Sequence, residues 1–193
     1  MQANTVQQIL KNSPHVTLTT VQPEDFEALV ALRIEAMRES LERVGRFDPV
    51  RARERFREGF SAPDTRYIEV AGNRVGFVVV KALADGLLLD HLYIKPDAQG
   101  RGTGSAVLRQ VFAEADAAAS TLRVGALKES DSNRFYLCHG FQLVESGEFD
   151  NYYVRPTPDE SLTGCDQPAV GAFAAARAAS IAASDSLVCS SPL

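Results

Sequence analysis

The stretch from Leu87 to Val111 (LLLDHLYIKPDAQGRGTGSAVLRQV) constrains the fold more than any other part of the sequence. It combines an apolar run typical of a strand, a turn with glycine at positions 100, 102 and 104, and a run with helical spacing. The first N–H groups of a helix have no intrahelical acceptor and lie at its positive end. A glycine-rich turn at that point therefore predicts an anion site, for which phosphate is the expected ligand.

Two common phosphate-binding loops do not match this stretch. A P-loop requires a lysine after its last glycine, and no such lysine is present. A dinucleotide-binding loop requires GxGxxG after the first strand of its unit and an acidic residue about 20 positions later. Here Gly102 and Gly104 follow the fourth predicted strand, so this pattern also fails.

Before this stretch, the sequence predicts a strand and two helices. Residues 16–20 (VTLTT) are rich in β-branched residues, as strands are. The segment Pro23-Glu24-Asp25 suits a helix start, and the helix should end at Gly45. Its apolar residues recur at three- and four-residue steps and should face the core: Phe26, Leu29, Val30, Ile34, Met37 and Leu41.

The second helix should begin at Asp48-Pro49 and carry Val50 and Phe56 on its inner side. Helical geometry spreads its four alternate arginines around the axis: Arg51, Arg53, Arg55 and Arg57. We expect a solvated face in which they pair with glutamates of the same helix. In the alternative interpretation, one or two of them attract an acidic acceptor substrate.

Three strands of an antiparallel meander should follow. Residues 66–71 and 74–83 flank the turn signal Gly72-Asn73 and predict a hairpin. A second turn signal, Asp85-Gly86, leads into the strand from Leu87 to Ile94. The helix after the glycine turn should bury one apolar stripe: Val107, Leu108, Val111, Phe112 and Ala115.

Residues 122–127 should return as a strand parallel to the fourth one, because a strand–helix–strand crossover makes parallel neighbours. The segment Ser130–Asn133 offers N-cap chemistry for a short helix over residues 134–139. Residues 141–144 and 149–154 predict two closing strands. We therefore assign residues 1–155 to one α/β domain and residues 156–193 to an Ala/Ser/Pro-rich tail, expected to be mobile or one loosely docked helix.

Composition narrows the class of partner. A net charge of −5 argues against nucleic-acid and anionic-membrane partners. The N-terminus resembles no secretory signal and no apolar run is long enough to span a membrane, so we expect a cytoplasmic protein. Cys138, Cys165 and Cys189 lack the spacing of metal ligands, so no metal site is expected.

Two motifs in the right order resemble the GCN5-related N-acetyltransferase (GNAT) superfamily. The segment from Gln99 to Gly104, QGRGTG, is similar to the family's Gln/Arg-x-x-Gly-x-Gly/Ala signature between a strand and a helix. The segment from Asn133 to Phe141, NRFYLCHGF, resembles its second motif of Asn, a Tyr three positions on, and a closing Gly-Phe. The resemblance covers about residues 16–155.

This resemblance implies a twisted, mixed, mostly antiparallel sheet of about seven strands. Helices should cover both faces, and the sheet should splay between strands four and five. Acetyl-CoA would bind in the splay as co-substrate, its pyrophosphate against the glycine turn. The positions that match the family's cofactor-binding residues are Leu92, Tyr93, Ile94, Gln99, Gly100, Arg101, Gly102, Thr103, Gly104, Ser105, Asn133 and Tyr136.

The implied reaction is direct attack of a neutral primary amine on the acetyl thioester. A backbone N–H near Leu92 would polarise the acetyl carbonyl. Tyr136 matches the motif tyrosine and is the expected general acid; otherwise it packs against Phe135. In several family members the general base lies on the fourth strand, two or four residues before the position that matches Leu92. These positions are Asp90 and Leu88 here, and period two should place them on one face with Leu92. Since leucine has no acid or base, the resemblance makes Asp90 the first candidate, directly or through water.

His91 should point to the opposite face, where it would pack under a helix, and Glu69 on the neighbouring strand is the reserve base. The acceptor, a small molecule or a protein, should lie opposite the cofactor, against residues 39–49 and the strand pair near residues 149–153. Phe47, Tyr152 and Tyr153 are candidate lining residues there, and each could equally be a core or rim residue. A homodimer is left open. A non-catalytic module that senses acyl-CoA or binds a partner is the competing interpretation.

Overall fold

The structure is a computed structural model that describes residues 14–43 and 48–157. Within these ranges the elements are β1 (Val16–Thr20), a 3₁₀ turn (Pro23–Asp25), α1 (Phe26–Arg43), α2 (Pro49–Gly59), β2 (Thr65–Val70), β3 (Asn73–Leu83), β4 (Gly86–Ile94), a second 3₁₀ turn (Pro96–Ala98), α3 (Thr103–Ala117), β5 (Leu122–Leu127), α4 (Ser132–Cys138), β6 (Gln142–Ser146) and β7 (Asp150–Arg155). Phe47 and the predicted tail from residue 158 onwards lie outside the described residues. In those ranges, no helix combines the length and the apolarity needed to span a membrane.

The seven strands form one sheet in the order β1-β2-β3-β4-β5-β7-β6. Neighbouring strands are antiparallel except β4 and β5, which run parallel, as the crossover through α3 requires. This confirms the predicted mixed, mostly antiparallel sheet, including its parting between strands four and five.

Two apolar clusters cover the two faces of the sheet. On the α3 face, Val107 and Leu108 of α3 pack with buried side chains that include Val78 and Leu89. On the opposite face, which we call the α1/α2 face, residues of α1 and α2 pack on Phe77, Val79 and Tyr67. Neighbouring residues of β3 thus serve opposite clusters, because side chains alternate along a strand.

The stripe predicted for α3 is buried except for the partly buried Phe112, whereas α1, among the residues described, buries only two of its predicted positions fully and α2 departs from its prediction. Leu29, Val30 and also Leu32 are buried on α1. Phe56 is buried as predicted, whereas Val50 is 66% exposed, so its inward placement was wrong. Six residues separate the two, which turns their side chains roughly 120° apart around the helix axis.

The turn between β2 and β3 is one residue earlier than predicted. Val70 pairs with Asn73, so Ala71 and Gly72 are the central residues, with φ of 50° and 77°. Positive φ at both positions is typical of a type I′ hairpin turn. Asn73 is therefore the first residue of β3.

Strands β4 and β5 pair only at their beginnings. Within the described residues, the pairing covers Leu87, Leu88 and Leu89 on β4. Gly86 adjoins this end at a φ of 143°, where a Cβ atom would lie 2.5 Å from Thr121 Oγ1, so the close approach requires glycine. Beyond Leu89 the strands part and leave an opening, which we call the slot.

An ion pair fastens the closed end of the slot. The guanidinium of Arg123 donates two hydrogen bonds, of 2.7 and 2.5 Å, to the carboxylate of Asp85. These hydrogen bonds lower the pKa of Asp85. Since Arg123 is in β5 and Asp85 is in the turn before β4, the pair holds the two strands together before they separate.

Candidate functional site

The segment from Gln99 to Ser105, which we call the glycine loop, lies between the open half of β4 and the start of α3. Among the described residues, nothing accepts a hydrogen bond from the backbone N–H groups of residues 100–105. The first backbone bond at the start of α3 runs from Ala106 N–H to Gly102 O, at 3.0 Å. Six consecutive N–H groups beside a helix N-terminus can bind an anion such as a pyrophosphate.

The three positions of the loop that carry glycine require it for different structural reasons. Gly100 and Gly102 have φ of 70° and 81°, a conformation that L side chains rarely adopt. Gly104 has helical backbone, and a Cβ atom there would lie 3.0 Å from Phe135 Cζ. The first two therefore shape the loop, and the third lets α4 pack against α3.

Side chains of the loop fix its shape and leave one cation available. Gln99 Nε2 donates to Ile94 O at 2.7 Å, and Thr103 Oγ1 donates to Ala98 O at 3.2 Å. Ser105 Oγ lies 2.8 Å from His139 Nε2 on α4. Arg101 is exposed and has no charged partner among the residues that the structure describes.

A β-bulge at Asp90 shapes the open half of β4. Val79 pairs with His91 and Val80 pairs with Leu89, so Asp90 is an extra residue between them. After the bulge, Lys95 N–H donates to Val75 O of the β3 segment at 2.8 Å. Because backbone groups alternate sides along an antiparallel strand, Leu92 and Ile94 direct theirs away from β3 and into the slot.

The same bulge overturns the predicted arrangement of the candidate bases. The Asp90 carboxylate lies 2.7 Å from Lys81 Nζ and 3.8 Å from His91 Nε2, on the α1/α2 face. Leu92, by contrast, packs on the α3 face, so Asp90 and Leu92 do not share a face. Asp90 and His91 lie together, because the extra residue shifts the period-two alternation by one position.

The predicted sharing of a face by Leu88 and Asp90 is confirmed, whereas the predicted position of Glu69 was wrong. Leu88 pairs with Lys81, so it precedes the bulge on the same face as the Asp90 carboxylate. Glu69 is not on the strand next to β4, because β3 lies between β2 and β4. Its carboxylate accepts a hydrogen bond from Thr19 Oγ1 at 3.0 Å and lies 3.7 Å from Arg74 Nε, away from the slot.

Asn133 lies at the first turn of α4, and both polar atoms of its side-chain amide are hydrogen-bonded to other groups of the protein. Its Nδ2 lies 2.7–2.9 Å from three backbone carbonyl oxygens, those of Leu127, Lys128 and Ser130. Its Oδ1 accepts hydrogen bonds from Asn151 Nδ2 and Tyr153 Oη. An amide has two donor hydrogens and two acceptor lone pairs, so these contacts occupy all of them. Its cofactor-binding role stays a prediction.

Tyr136 is 6% exposed and packs edge-to-face against Phe135 and Phe141. The ring therefore has the expected packing role. It also lies on α4, beside the loop that follows β5. Tyr153 is 2% exposed and belongs to the cluster on the α3 face, so it is a core residue and not a lining residue of an acceptor pocket. Tyr152 is partly buried on β7.

Arg33, on α1, was not singled out by the sequence pattern, because it lies within an ordinary amphipathic helix. Its guanidinium lies over the rings of Phe56 and Tyr93, at 5.9 and 5.8 Å from the centroids. The only sequence signal is a cation between buried apolar positions, Val30 and Leu32 on one side and Ile34 on the other.

Comparisons with known proteins agree with this geometry. Residues 63–143 match the family model described as the acetyltransferase (GNAT) domain. None of the curated proteins matches this sequence. The family match supports acetyl transfer as the general class of reaction.

Solved structures with the same fold include three archaeal and bacterial proteins. The PaiA N-acetyltransferase of Thermoplasma acidophilum, in complex with coenzyme A, has a TM-score of 0.62 and 16% identity over 74% of this chain and 99% of its own. PH1933 of Pyrococcus horikoshii has a TM-score of 0.61 and 15% identity, over 74% of this chain and 99% of its own. An acetyltransferase of Thermus thermophilus has a TM-score of 0.59 and 22% identity, over 73% of this chain and 96% of its own. At these identities the likeness establishes the fold alone.

Proposed function

We propose that this protein transfers an acetyl group from acetyl-CoA to a primary amine, because residues 63–143 match the acetyltransferase (GNAT) family model and the chain shares the fold of a solved N-acetyltransferase. One observation carries the proposal: the six N–H groups of residues 100–105 have no acceptor among the described residues and adjoin the open half of β4. The coenzyme A complex of the Thermoplasma neighbour supports the same ligand.

The residues of the slot fit the parts of acetyl-CoA. The N–H groups of the glycine loop and the guanidinium of Arg101 would hold the pyrophosphate. Leu92 and Ile94, whose backbone groups face away from β3, would bond the amides of the pantetheine arm as a neighbouring strand does. The thioester supplies the activated acetyl group, and the N–H of Leu92 would polarise its carbonyl.

Proton transfer accompanies the attack. The amine nitrogen forms a bond to the acetyl carbon, the carbon–sulfur bond breaks with its electron pair staying on sulfur, and the nitrogen releases its second proton to solvent as the neutral amide forms. An alkyl ammonium has a pKa of about 10.4, so a base must take its proton before attack. We assign this role to Asp90, directly or through water, with His91 beside it, and the role of proton donor to sulfur to Tyr136.

Release of free thiol from acetyl-CoA, followed with a panel of primary amines and amino-terminal peptides, tests the proposal. We expect amine-dependent release that yields one acetylated amine per thiol. Acetyl-CoA binding by calorimetry without release on any amine would favour the competing function, a non-catalytic acyl-CoA-sensing or partner-binding module. Absence of acetyl-CoA binding would contradict both functions.

The assignment of the base has its own test. Asp90→Asn should lower kcat and change the pH profile, because the carboxylate charge is lost while the shape is kept. His91→Gln in the same assay separates the two candidates, since the true base is the one whose loss removes the acid limb of the profile. Acetyl-CoA binding by both variants should match that of the unaltered protein.

A further inference from the structure

We infer that Arg33 binds a carboxylate of the acceptor, so that the acceptor is a small amine that also carries a carboxylate group. This rests on the proposed function, because it names the acceptor class of the same site. The sequence pattern had offered α2 for an acidic acceptor, but Arg53 of α2 is bonded to Glu27 of α1. The cation at the site comes instead from α1.

Arg33 lies over the part of β4 that has separated from β5. Its Nε donates a hydrogen bond to Tyr93 Oη at 3.4 Å, and its Nη1 donates to Ala52 O on α2. Tyr93 stacks on His91, with ring centroids 5.4 Å apart, and His91 also contacts the ring of Phe56. Arg33 thus belongs to the same side-chain layer as the candidate bases.

The guanidinium lacks a counter-ion among the described residues. A guanidinium has five N–H donors, and only two of those of Arg33 have acceptors in the parts of the chain that the structure describes. Three carboxylates of α1 and β4 are paired with other cations: Glu27 with Arg53, Glu35 with Lys95, and Asp90 with Lys81. A partly buried cation without an anionic partner is unfavourable unless a ligand supplies one.

The spacing of the layer sets the size of the acceptor. Two residues along a strand span roughly 7 Å, which is the separation expected between the His91 and Tyr93 positions. An amine placed at Asp90 and His91 therefore leaves a carboxylate within reach of Arg33 when a short chain joins the two groups. Arginine matches this ligand because its planar fork can bond both oxygens of a carboxylate.

Packing alone would give a different result from ligand binding, and the chain offers a matched control. Arg57 is exposed on α2, and its guanidinium lies 5.5 Å from the ring of Phe26, which belongs to the same aromatic group as Phe56. Arg57→Gln removes the same charge from an arginine that stacks on a ring, without altering a contact to β4. The two variants should therefore differ in their preference for a carboxylate-bearing amine only if Arg33 binds the acceptor.

The experiment compares amines in matched pairs, each an amino acid and its amide, in the thiol-release assay. We expect the carboxylate member to have the higher kcat/KM, by about 10-fold to 100-fold, as a charge-assisted bond allows. Arg33→Gln should remove this preference through KM, with kcat and the amide substrate little changed, and Arg57→Gln should keep it. Equal use of both members, or an equal loss for both in Arg33→Gln, would overturn the inference.

A binding measurement keeps the inference testable apart from turnover. Calorimetry with N-acetylglycine and N-acetylglycinamide, in the presence of coenzyme A, should detect tighter binding of the carboxylate compound, and this difference should vanish in Arg33→Gln. If no amine releases thiol but this difference is found, the proposed reaction fails and the carboxylate site stands. If release occurs and neither compound is preferred, the reaction stands and the carboxylate site is refuted.

Discussion

The two walls of the slot carry the two motifs, and they use their polar groups in opposite ways. In the glycine loop, six consecutive N–H groups have no acceptor among the described residues. Across the slot, Asn133 has every hydrogen-bonding position of its amide filled by protein groups. One wall has donors without acceptors among the described residues, and the other has its polar groups bonded within the protein.

This difference teaches that a motif residue can be required for the fold of a site instead of for contact with its ligand. A group with unused donors gains free energy from the ligand, whereas a group with filled positions gains none unless it gives up a bond. The predictions below separate these two uses, from the largest expected effect to the smallest.

Replacement of Asn133 by alanine should give the largest effect, which we expect on the stability of the fold. The change removes the amide that donates to the carbonyls of Leu127, Lys128 and Ser130 and that accepts from Asn151 Nδ2 and the Tyr153 hydroxyl, so the free energy of unfolding should fall by about 3 kcal/mol. Chemical denaturation measures it. Ser130→Ala, which removes the 2.8 Å bond from Ser130 Oγ to Leu127 O, is the milder control. Normal stability with weakened acetyl-CoA binding would instead make Asn133 a ligand contact.

Replacement of Gly102 by glutamate should lower acetyl-CoA affinity by about 100-fold, because a side chain with negative charge would stand among the N–H groups proposed to bind the pyrophosphate. Calorimetry measures the affinity. Gly140→Glu is the matched control, since Gly140 has a φ of 82° and open space around it, as an exposed glycine outside the loop. Equal affinities in both variants would mean that the pyrophosphate does not bind at the loop.

Replacement of Tyr136 by phenylalanine should lower kcat by about 10-fold with little change in acetyl-CoA binding. The expected effect is smaller than is usual for a general acid, because a thiol has a pKa of about 8.5 and water can also protonate the departing thiolate. The ring contacts with Phe135 and Phe141 are kept, so the fold should not change. Thiol release under saturating substrate measures kcat, and an unaltered value would leave Tyr136 with a packing role only.

Replacement of Gly100 by alanine should give the smallest effect. The new Cβ atom meets nothing within 4 Å, but the φ of 70° disfavours an L side chain by about 1 kcal/mol. We expect that loss in the free energy of unfolding, with acetyl-CoA affinity within about 3-fold of the original. A far larger loss of affinity would place the ligand directly against Gly100.

Much of the fold could be predicted because its signals are local. The apolar spacing of Leu29 and Val30, the Asp48 cap and the glycine loop each follow from neighbours in sequence. Asp48 Oδ1 accepts a hydrogen bond from Arg51 N–H at 3.0 Å, as its N-cap position predicts. The errors arose where distant segments decide. Val50 is exposed because Phe56 alone selects the inner side of α2, and Glu69 lies two strands from β4 because of the sheet order.

The sequence by itself determined the order of the elements, the parallel pair of strands and the position of the glycine loop, since period, capping and glycine content are properties of adjacent residues. Only the tertiary structure decided which side chains and backbone groups of β4, the strand before that loop, face the slot and which lie on the α1/α2 face of the sheet. The pairing of β3 with β4 places a bulge at Asp90, which brings Asp90 and His91 to one face and turns the backbone of Leu92 toward the slot. Register depends on hydrogen bonds to a partner strand, so a single strand's sequence cannot reveal it.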